Sequence, residues 1–103
     1  AIDAIAIGVN GQDLDAIARH RIEAEGVEPY SHGLGHGIGL ETHEAPSLRK
    51  SKPYTLEGGM VFSVEPGIYL PGVTGIRIED IVALEEFGPR LLTTSPREPM
   101  FIA

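Results

Sequence analysis

The 103-residue sequence predicts an α+β fold in which one helix packs on a mainly antiparallel sheet. One segment, 11–25, has apolar residues at helical spacing. Three later segments, 60–65, 76–84 and 90–93, are rich in β-forming residues and are separated by turn residues. With 42% hydrophobic residues, the chain can form one modest core, so we expect residues 1–103 to be one domain or part of a larger one.

The helix has recognisable signals at both ends. Asn10 is a good N-cap, Asp13 occupies the N3 position of a variant capping box, and Asp15 adds negative charge to the positive first turn. Gly26 is expected to end the helix at the C′ position. His20 lies among charged neighbours, so we predict that it is exposed. The predicted packing face consists of Leu14, Ile17, Ala18 and Ile22.

The strands bring two carboxylates into apolar surroundings. Pro66 and Gly67 stop the first strand, 68–70 continues it briefly, and a turn at 87–88 leads into the third strand. Since side chains alternate along a strand, Glu65 and Glu79 can converge from neighbouring strands. A divalent cation or a cationic side chain such as Arg77 would offset the cost of burying them. The alternative is that Glu65 is exposed and Glu79 pairs with Arg77 or a lysine.

Composition excludes several classes of function. A net charge of −7 argues against binding to nucleic acid or to an anionic membrane surface. The sequence has no cysteine, so a metal would be held by His, Asp or Glu, which favours Mn, Co or Zn. No apolar run approaches the roughly 20 residues of a membrane span, and we expect a cytoplasmic protein. Residues 1–7 resemble the tail of an interrupted helix without an initiator methionine, so we expect an excerpt of a longer chain.

Residues 32–44 contain three of the four histidines and alternating glycines. So many glycines disfavour a helix, and we expect a loop or strand. The cluster of His32, His36 and His43 predicts a site, although each histidine alone could serve as a cap or a hydrogen-bonding turn residue. The absence of a helix excludes a His-Glu-x-x-His zinc site, and Ile38 breaks the register of a dinucleotide-binding fingerprint.

Three ordered motifs resemble those of the pita-bread metallopeptidases, most closely the prolidase and Xaa-Pro aminopeptidase branch. They are His-Gly-Leu-Gly-His-Gly-Ile-Gly-Leu-Glu-Thr-His-Glu-Ala-Pro at 32–46, Gly-Met-Val-Phe-Ser-Val-Glu-Pro-Gly-Ile-Tyr at 59–69, and Gly-Ile-Arg-Ile-Glu-Asp at 75–80. The resemblance implies the C-terminal half of a pita-bread catalytic domain with a curved sheet. It also implies an exopeptidase that hydrolyses Xaa-Pro bonds through a water shared by two divalent ions, Mn, Co or Zn.

The resemblance also implies roles for individual residues. His36 matches the histidine ligand, Glu65 a metal-binding glutamate that is also the general base, and Glu79 the bridging glutamate. His32 and His43 match histidines that contact substrate and stabilise the tetrahedral intermediate. The family places an arginine near the ligands or the substrate at the position of Arg77.

The family's two aspartate ligands lie upstream of the helix, and Asp3, Asp13 and Asp15 do not match them. The sequence therefore predicts three of five ligands, little activity for the chain alone, and an N-terminal half-domain as a missing partner. An uncovered apolar face further predicts a homo-oligomer. The alternatives are a methionine aminopeptidase-like enzyme, a branch that hydrolyses creatine without metal, and a non-catalytic peptide-binding module of the same fold.

Overall fold

The computed structural model describes residues 1–102, which form one α-helix and seven strands in two sheets. The helix is α1 (Gly11–Ala24), preceded by a short 3₁₀ helix at Ile2–Ala4. The strands are β1 (Gly35–Gly37), β2 (Glu44–Leu48), β3 (Val61–Val64), β4 (Gly67–Leu70), β5 (Thr74–Arg77), β6 (Asp80–Glu85) and β7 (Gly88–Leu91). The larger sheet has the order β2-β1-β3-β6-β7, β4 and β5 form a hairpin, and every pairing is antiparallel. The predicted α+β class is confirmed.

The two ends of α1 follow the sequence signals. The Asn10 side chain accepts a hydrogen bond from the Gln12 amide at 2.9 Å, and Gly26 adopts a φ of +76° after the last turn. Asp13 is exposed, and among the hydrogen bonds of the described residues none joins its carboxylate to the Asn10 amide. The N-cap and the C′ glycine are therefore confirmed, whereas the capping box is not formed.

The buried face of α1 is rotated from the predicted one. Leu14 and Ala18 are buried as expected, but Ile17 is 44% exposed and the carboxylate-bearing Asp15 is fully buried. Gly11 allows this orientation, because a Cβ there would lie 2.5 Å from the Ser47 carbonyl oxygen of β2. His20 is exposed, as predicted.

The core lies between α1 and the larger sheet. Apolar side chains from the helix, the segment before β1 and the strands form one cluster. Its buried members are Ile5, Leu14, Ala18, Tyr30, Leu34, Leu48, Leu56, Phe62, Val64, Val82 and Leu84. Among the described residues, no helix combines the length and apolar character needed to cross a membrane.

The expected single strand over 76–84 is wrong. β5 pairs with β4 in the hairpin, whereas β6 pairs with β3 and β7 in the larger sheet. The chain leaves one sheet and enters the other at Ile78 and Glu79, next to the buried Asp80. The other two predicted strands are present as β3 and β7, and they form the antiparallel sheet with β6.

The glycine-rich stretch contains a strand, which the sequence left open as loop or strand. β1 is held between β2 and β3 in the larger sheet. Cβ atoms built on Gly35 and Gly37 would lie 1.7 Å from the Ser63 carbonyl oxygen and 1.9 Å from that of Ala45. These two glycines are therefore required by close approach of neighbouring backbone.

Candidate metal centre

Three side chains that can bind a metal converge at the edge of β1 and β3. His36 lies in β1, Glu65 directly follows β3, and Glu79 lies between β5 and β6. One ligand atom from each of them lies within 4.8 Å of the other two. Within residues 1–102, this is the one group of three or more His, Asp or Glu side chains with such spacing.

Backbone hydrogen bonds explain why the two glutamates meet. The Glu65 amide donates to the Leu34 carbonyl at 2.7 Å, which fixes the end of β3 beside the start of β1. The Ile78 amide donates to the Pro66 carbonyl at 3.2 Å, which extends the pairing of β4 and β5 by one step. Glu65 precedes Pro66 and Glu79 follows Ile78, so this hydrogen bond at the end of the hairpin brings the two glutamates close together.

The tautomer of His36 follows from its neighbours. Its Nδ1 makes a hydrogen bond to the Gly37 carbonyl oxygen at 3.0 Å, whereas the contact of Nε2 with Glu65 Oε1 is not among the hydrogen bonds of the described residues, so Nδ1 carries the proton of the neutral ring. The lone pair of Nε2 then points toward Glu65 Oε1, 3.3 Å away. The side chains of His36 and Glu65 are only 22% and 12% exposed. Two partly buried electron-rich groups at this distance fit a shared cation, since imidazole and carboxylate are typical ligands of Mn, Co and Zn.

Ser63 links the histidine and the general-base candidate. Its buried hydroxyl donates to Glu65 Oε1 at 3.2 Å and accepts from the His36 amide at 3.0 Å. The sequence analysis assigned no role to Ser63, which lies two residues before Glu65 and so on the same face of the strand. Strand alternation was the signal that could have identified it.

Arg77 forms its salt bridge with Glu65 and not with Glu79, the partner considered as an alternative from the sequence. Arg77 Nη1 lies 3.5 Å from Glu65 Oε2, and no salt bridge in the described part of the chain involves Glu79. Glu65 is largely buried, so the interpretation of an exposed strand end is wrong. Glu65 thus has hydrogen-bond partners on both carboxylate oxygens.

A directed hydrogen-bond chain connects Arg77 to His32 through Tyr69. His32 Nδ1 donates to the Gly33 carbonyl at 2.7 Å, which leaves Nε2 to accept from the Tyr69 hydroxyl at 2.8 Å. The hydroxyl in turn accepts from Arg77 Nε at 2.8 Å, and this hydrogen bond raises the pKa of Arg77. Tyr69 was missed by sequence reasoning because its contacts come from the hairpin turning back on the loop before β1.

His43, the third histidine of the 32–44 stretch, is exposed and lies against His36, with 4.2 Å between ring centroids and 52° between ring planes. A cavity of about 760 Å³ extends from the three ligand candidates to the histidines and the arginine. All six site residues predicted from the sequence line it: His32, His36, His43, Glu65, Arg77 and Glu79. Asp3, Asp13 and Asp15 do not line it.

Known proteins similar to this chain are metallopeptidases. Residues 1–86 match the model of metallopeptidase family M24. An Xaa-Pro dipeptidase of Lactobacillus delbrueckii subsp. lactis is 46% identical over 99 residues, which cover 95% of this chain and 27% of the relative. The chain thus spans about a quarter of the length of the curated relatives it matches.

Solved structures of similar proteins confirm the fold. The X-Pro aminopeptidase of Thermotoga maritima superposes with a TM-score of 0.89 at 47% identity, over 94% of this chain and 28% of the other. The prolidase of Pyrococcus furiosus gives 0.89 at 42% identity, over 93% and 29%. The structure is therefore part of a pita-bread fold, as the motifs predicted. By sequence and by structure, the chain belongs to metallopeptidase family M24.

Proposed function

We propose that this chain is the C-terminal half of the catalytic domain of an exopeptidase that hydrolyses Xaa-Pro peptide bonds. The observation that carries the proposal is the convergence of His36, Glu65 and Glu79 within 4.8 Å. The names of the relatives, Xaa-Pro dipeptidase and X-Pro aminopeptidase, support the substrate class.

In this proposal, His36, Glu65 and Glu79 hold divalent ions, two in the complete enzyme, with Mn, Co and Zn as candidates. When bound, such ions lower the pKa of a water molecule and polarise the carbonyl of the scissile bond. Glu65 accepts the proton of the attacking water and passes it to the leaving amine. The hydrogen bonds from Ser63 and Arg77 keep its carboxylate oriented for that transfer.

His32, His43 and Arg77 are proposed to bind the peptide, whose second residue is proline. His43 is exposed on the cavity side of His36, from which an N–H can reach the carbonyl oxygen as negative charge develops on it. The His32 ring is held by its neighbours at both nitrogens, so it is proposed to contact the residue after the scissile bond through its exposed ring edge.

The chain supplies three of the five expected ligands, so we propose that it has little activity alone. An N-terminal half-domain with two aspartates would be its partner, and a second copy would cover the exposed apolar side chains, which include Leu40, Val73 and Phe87. A cytoplasmic location stays a prediction from the sequence.

The proposal is tested by Glu65→Gln in the full-length protein, with Glu86→Gln as control because Glu86 is exposed and outside the cavity. The amide cannot accept the water proton, so we expect the rate on Ala-Pro to fall at least about 100-fold. The control should keep the wild-type rate. A wild-type protein that binds the peptide without cleaving it would indicate a binding module, and cleavage of Met-Ala but not Ala-Pro would indicate a methionine aminopeptidase.

A further inference from the structure

We propose that Arg19 of α1, fixed by the buried Asp15, is a positioning residue for His32. The inference rests on the substrate-binding role proposed for His32. Arg19, Asp15 and Tyr30 do not line the cavity, so they would act only through the residues they hold.

Arg19 uses all three guanidinium nitrogens in three different hydrogen bonds. Nε donates to Asp15 Oδ2 at 2.6 Å, Nη1 to the Tyr30 carbonyl at 2.6 Å, and Nη2 to the His32 carbonyl at 2.7 Å. The side chain is 13% exposed. One rigid planar group thus fixes two backbone carbonyls, separated by a single residue, where the chain enters the glycine-rich stretch.

Tyr30 carries the same constraint to the imidazole ring. Its ring stacks on that of His32 with 4.8 Å between centroids and 20° between planes, and Arg19 Cζ lies 4.4 Å from the Tyr30 centroid. The Tyr30 hydroxyl donates to Asp15 Oδ1 at 3.1 Å. Burial, and next the negative charge of Asp15, raise the pKa of Tyr30, so the hydroxyl keeps the proton that it donates.

Asp15 is the fixed point of this arrangement. It is fully buried, and its two oxygens accept from Arg19 and Tyr30 respectively. Replacing a buried ion pair by apolar residues of similar volume is often neutral or stabilising, so the presence of this pair is weak evidence for a role in stability. The hydrogen bonds of the pair indicate a role in positioning, because the groups that Asp15 and Arg19 hold belong to Tyr30 and His32.

The consequence is a histidine fixed at three points. Arg19 holds its carbonyl, Tyr30 holds one ring face, and Gly33 accepts from Nδ1. Nε2 is thereby directed toward the Tyr69 hydroxyl. A helix outside the cavity thus sets the orientation of a side chain within it.

The test is a double-mutant cycle in the full-length protein, with Arg19→Gln made in the wild type and in His32→Ala. Arg19→Gln should lower kcat/KM on Ala-Pro by about 10- to 100-fold, because a displacement near 1 Å in an active site costs on that order. It should have no further effect on His32→Ala, since the residue through which Arg19 acts is then gone. An equal loss in both backgrounds would overturn the proposal.

Arg21→Gln is the matched control. Arg21 lies on the same helix and pairs with Glu25 four residues later, whereas Arg19 pairs with Asp15 four residues earlier; Arg21 is 71% exposed and holds no loop. It should leave kcat/KM unchanged. If Arg19→Gln does not fold, Arg19→Lys takes its place, since lysine keeps the charge but cannot hold both carbonyls, and we expect a smaller loss that also vanishes in His32→Ala.

A second measurement separates this inference from the proposed function. The Cε1 proton of His32 experiences the ring current of the stacked Tyr30, and its NMR signal should shift in Arg19→Gln but not in Arg21→Gln. A wild type that cleaves no Xaa-Pro peptide would refute the proposed function, while this shift would still support the positioning role. An unchanged His32 signal in a folded Arg19→Gln would overturn it.

Discussion

Gly35 connects the packing of single atoms to the geometry of the candidate site. It lies next to His36 in β1, and its Cα is so close to β3 that a side chain cannot be accommodated without moving the strand. Gly35 therefore allows β1 to lie close enough to β3 for His36 to reach Glu65.

Gly35→Ala is expected to destabilise the fold by more than about 2 kcal/mol, because overpacking against backbone cannot be relieved by a side-chain rotation. The added Cβ would lie 1.7 Å from the Ser63 carbonyl oxygen. Urea denaturation of this chain measures the change. Gly58→Ala is the control, since its Cβ would meet only the flexible end of Ile7 at 3.2 Å. Equal midpoints for the two variants would contradict the role assigned to Gly35.

The side chains that converge at the candidate site could be selected from the motifs, whereas residues that hold them through distant contacts could not. His36, Glu65 and Glu79 stood out because imidazole and carboxylate in apolar or glycine-rich surroundings need a reason. Asp15 was interpreted as a first-turn charge, since only the fold brings Tyr30, fifteen positions later, to its second oxygen. The role of Tyr69 could not be predicted either, because its partner His32 lies 37 residues earlier in the chain.

At the scale of elements, local signals predicted both ends of α1 and the positions of β3 and β7. The strand over 76–84 failed because its β-forming residues are continuous, while the hydrogen-bond partners change from β4 to β3 along it. Propensity describes a residue's conformation and contains no information about which strand it pairs with. The change of sheet is also what releases Glu79 from strand pairing and places it beside Glu65.

Asn10 joins α1 to the segment between β2 and β3, because its side-chain oxygen accepts from the Gln12 amide at 2.9 Å and from the Tyr54 amide at 3.1 Å. Asn10→Ala should lower the free energy of unfolding by about 1–2 kcal/mol, the usual cost of losing an N-cap. Asn10→Asp keeps the accepting oxygen and should stay within about 0.5 kcal/mol of wild type. Thermal denaturation of both variants checks this, and equal losses for alanine and aspartate would argue against the capping oxygen.

At the scale of the whole molecule, the sequence predicted the fold through three motifs spread over residues 32–80. The seven-strand arrangement in two sheets did not follow from periodicity, because β1 and β2 are short and their glycine and proline residues conceal them. Oligomeric state, which depends on surfaces between copies, stays a prediction.

The three converging side chains predict that the isolated chain binds a metal ion. A set of three supports one ion and leaves positions for further ligands, so we expect Mn²⁺ to raise the melting temperature with a stoichiometry of one per chain. At a concentration 100 times the dissociation constant, one bound ion stabilises the fold by about 2.7 kcal/mol. Glu79→Gln removes a ligand from an exposed position and should abolish the shift without unfolding the chain, whereas Glu86→Gln should preserve it. Calorimetry counts the ions directly.

Tight binding of two ions, together with hydrolysis of Xaa-Pro peptides by the chain alone, would contradict this prediction. Three protein ligands would then hold two cations a few ångströms apart, and the two aspartates would not be needed.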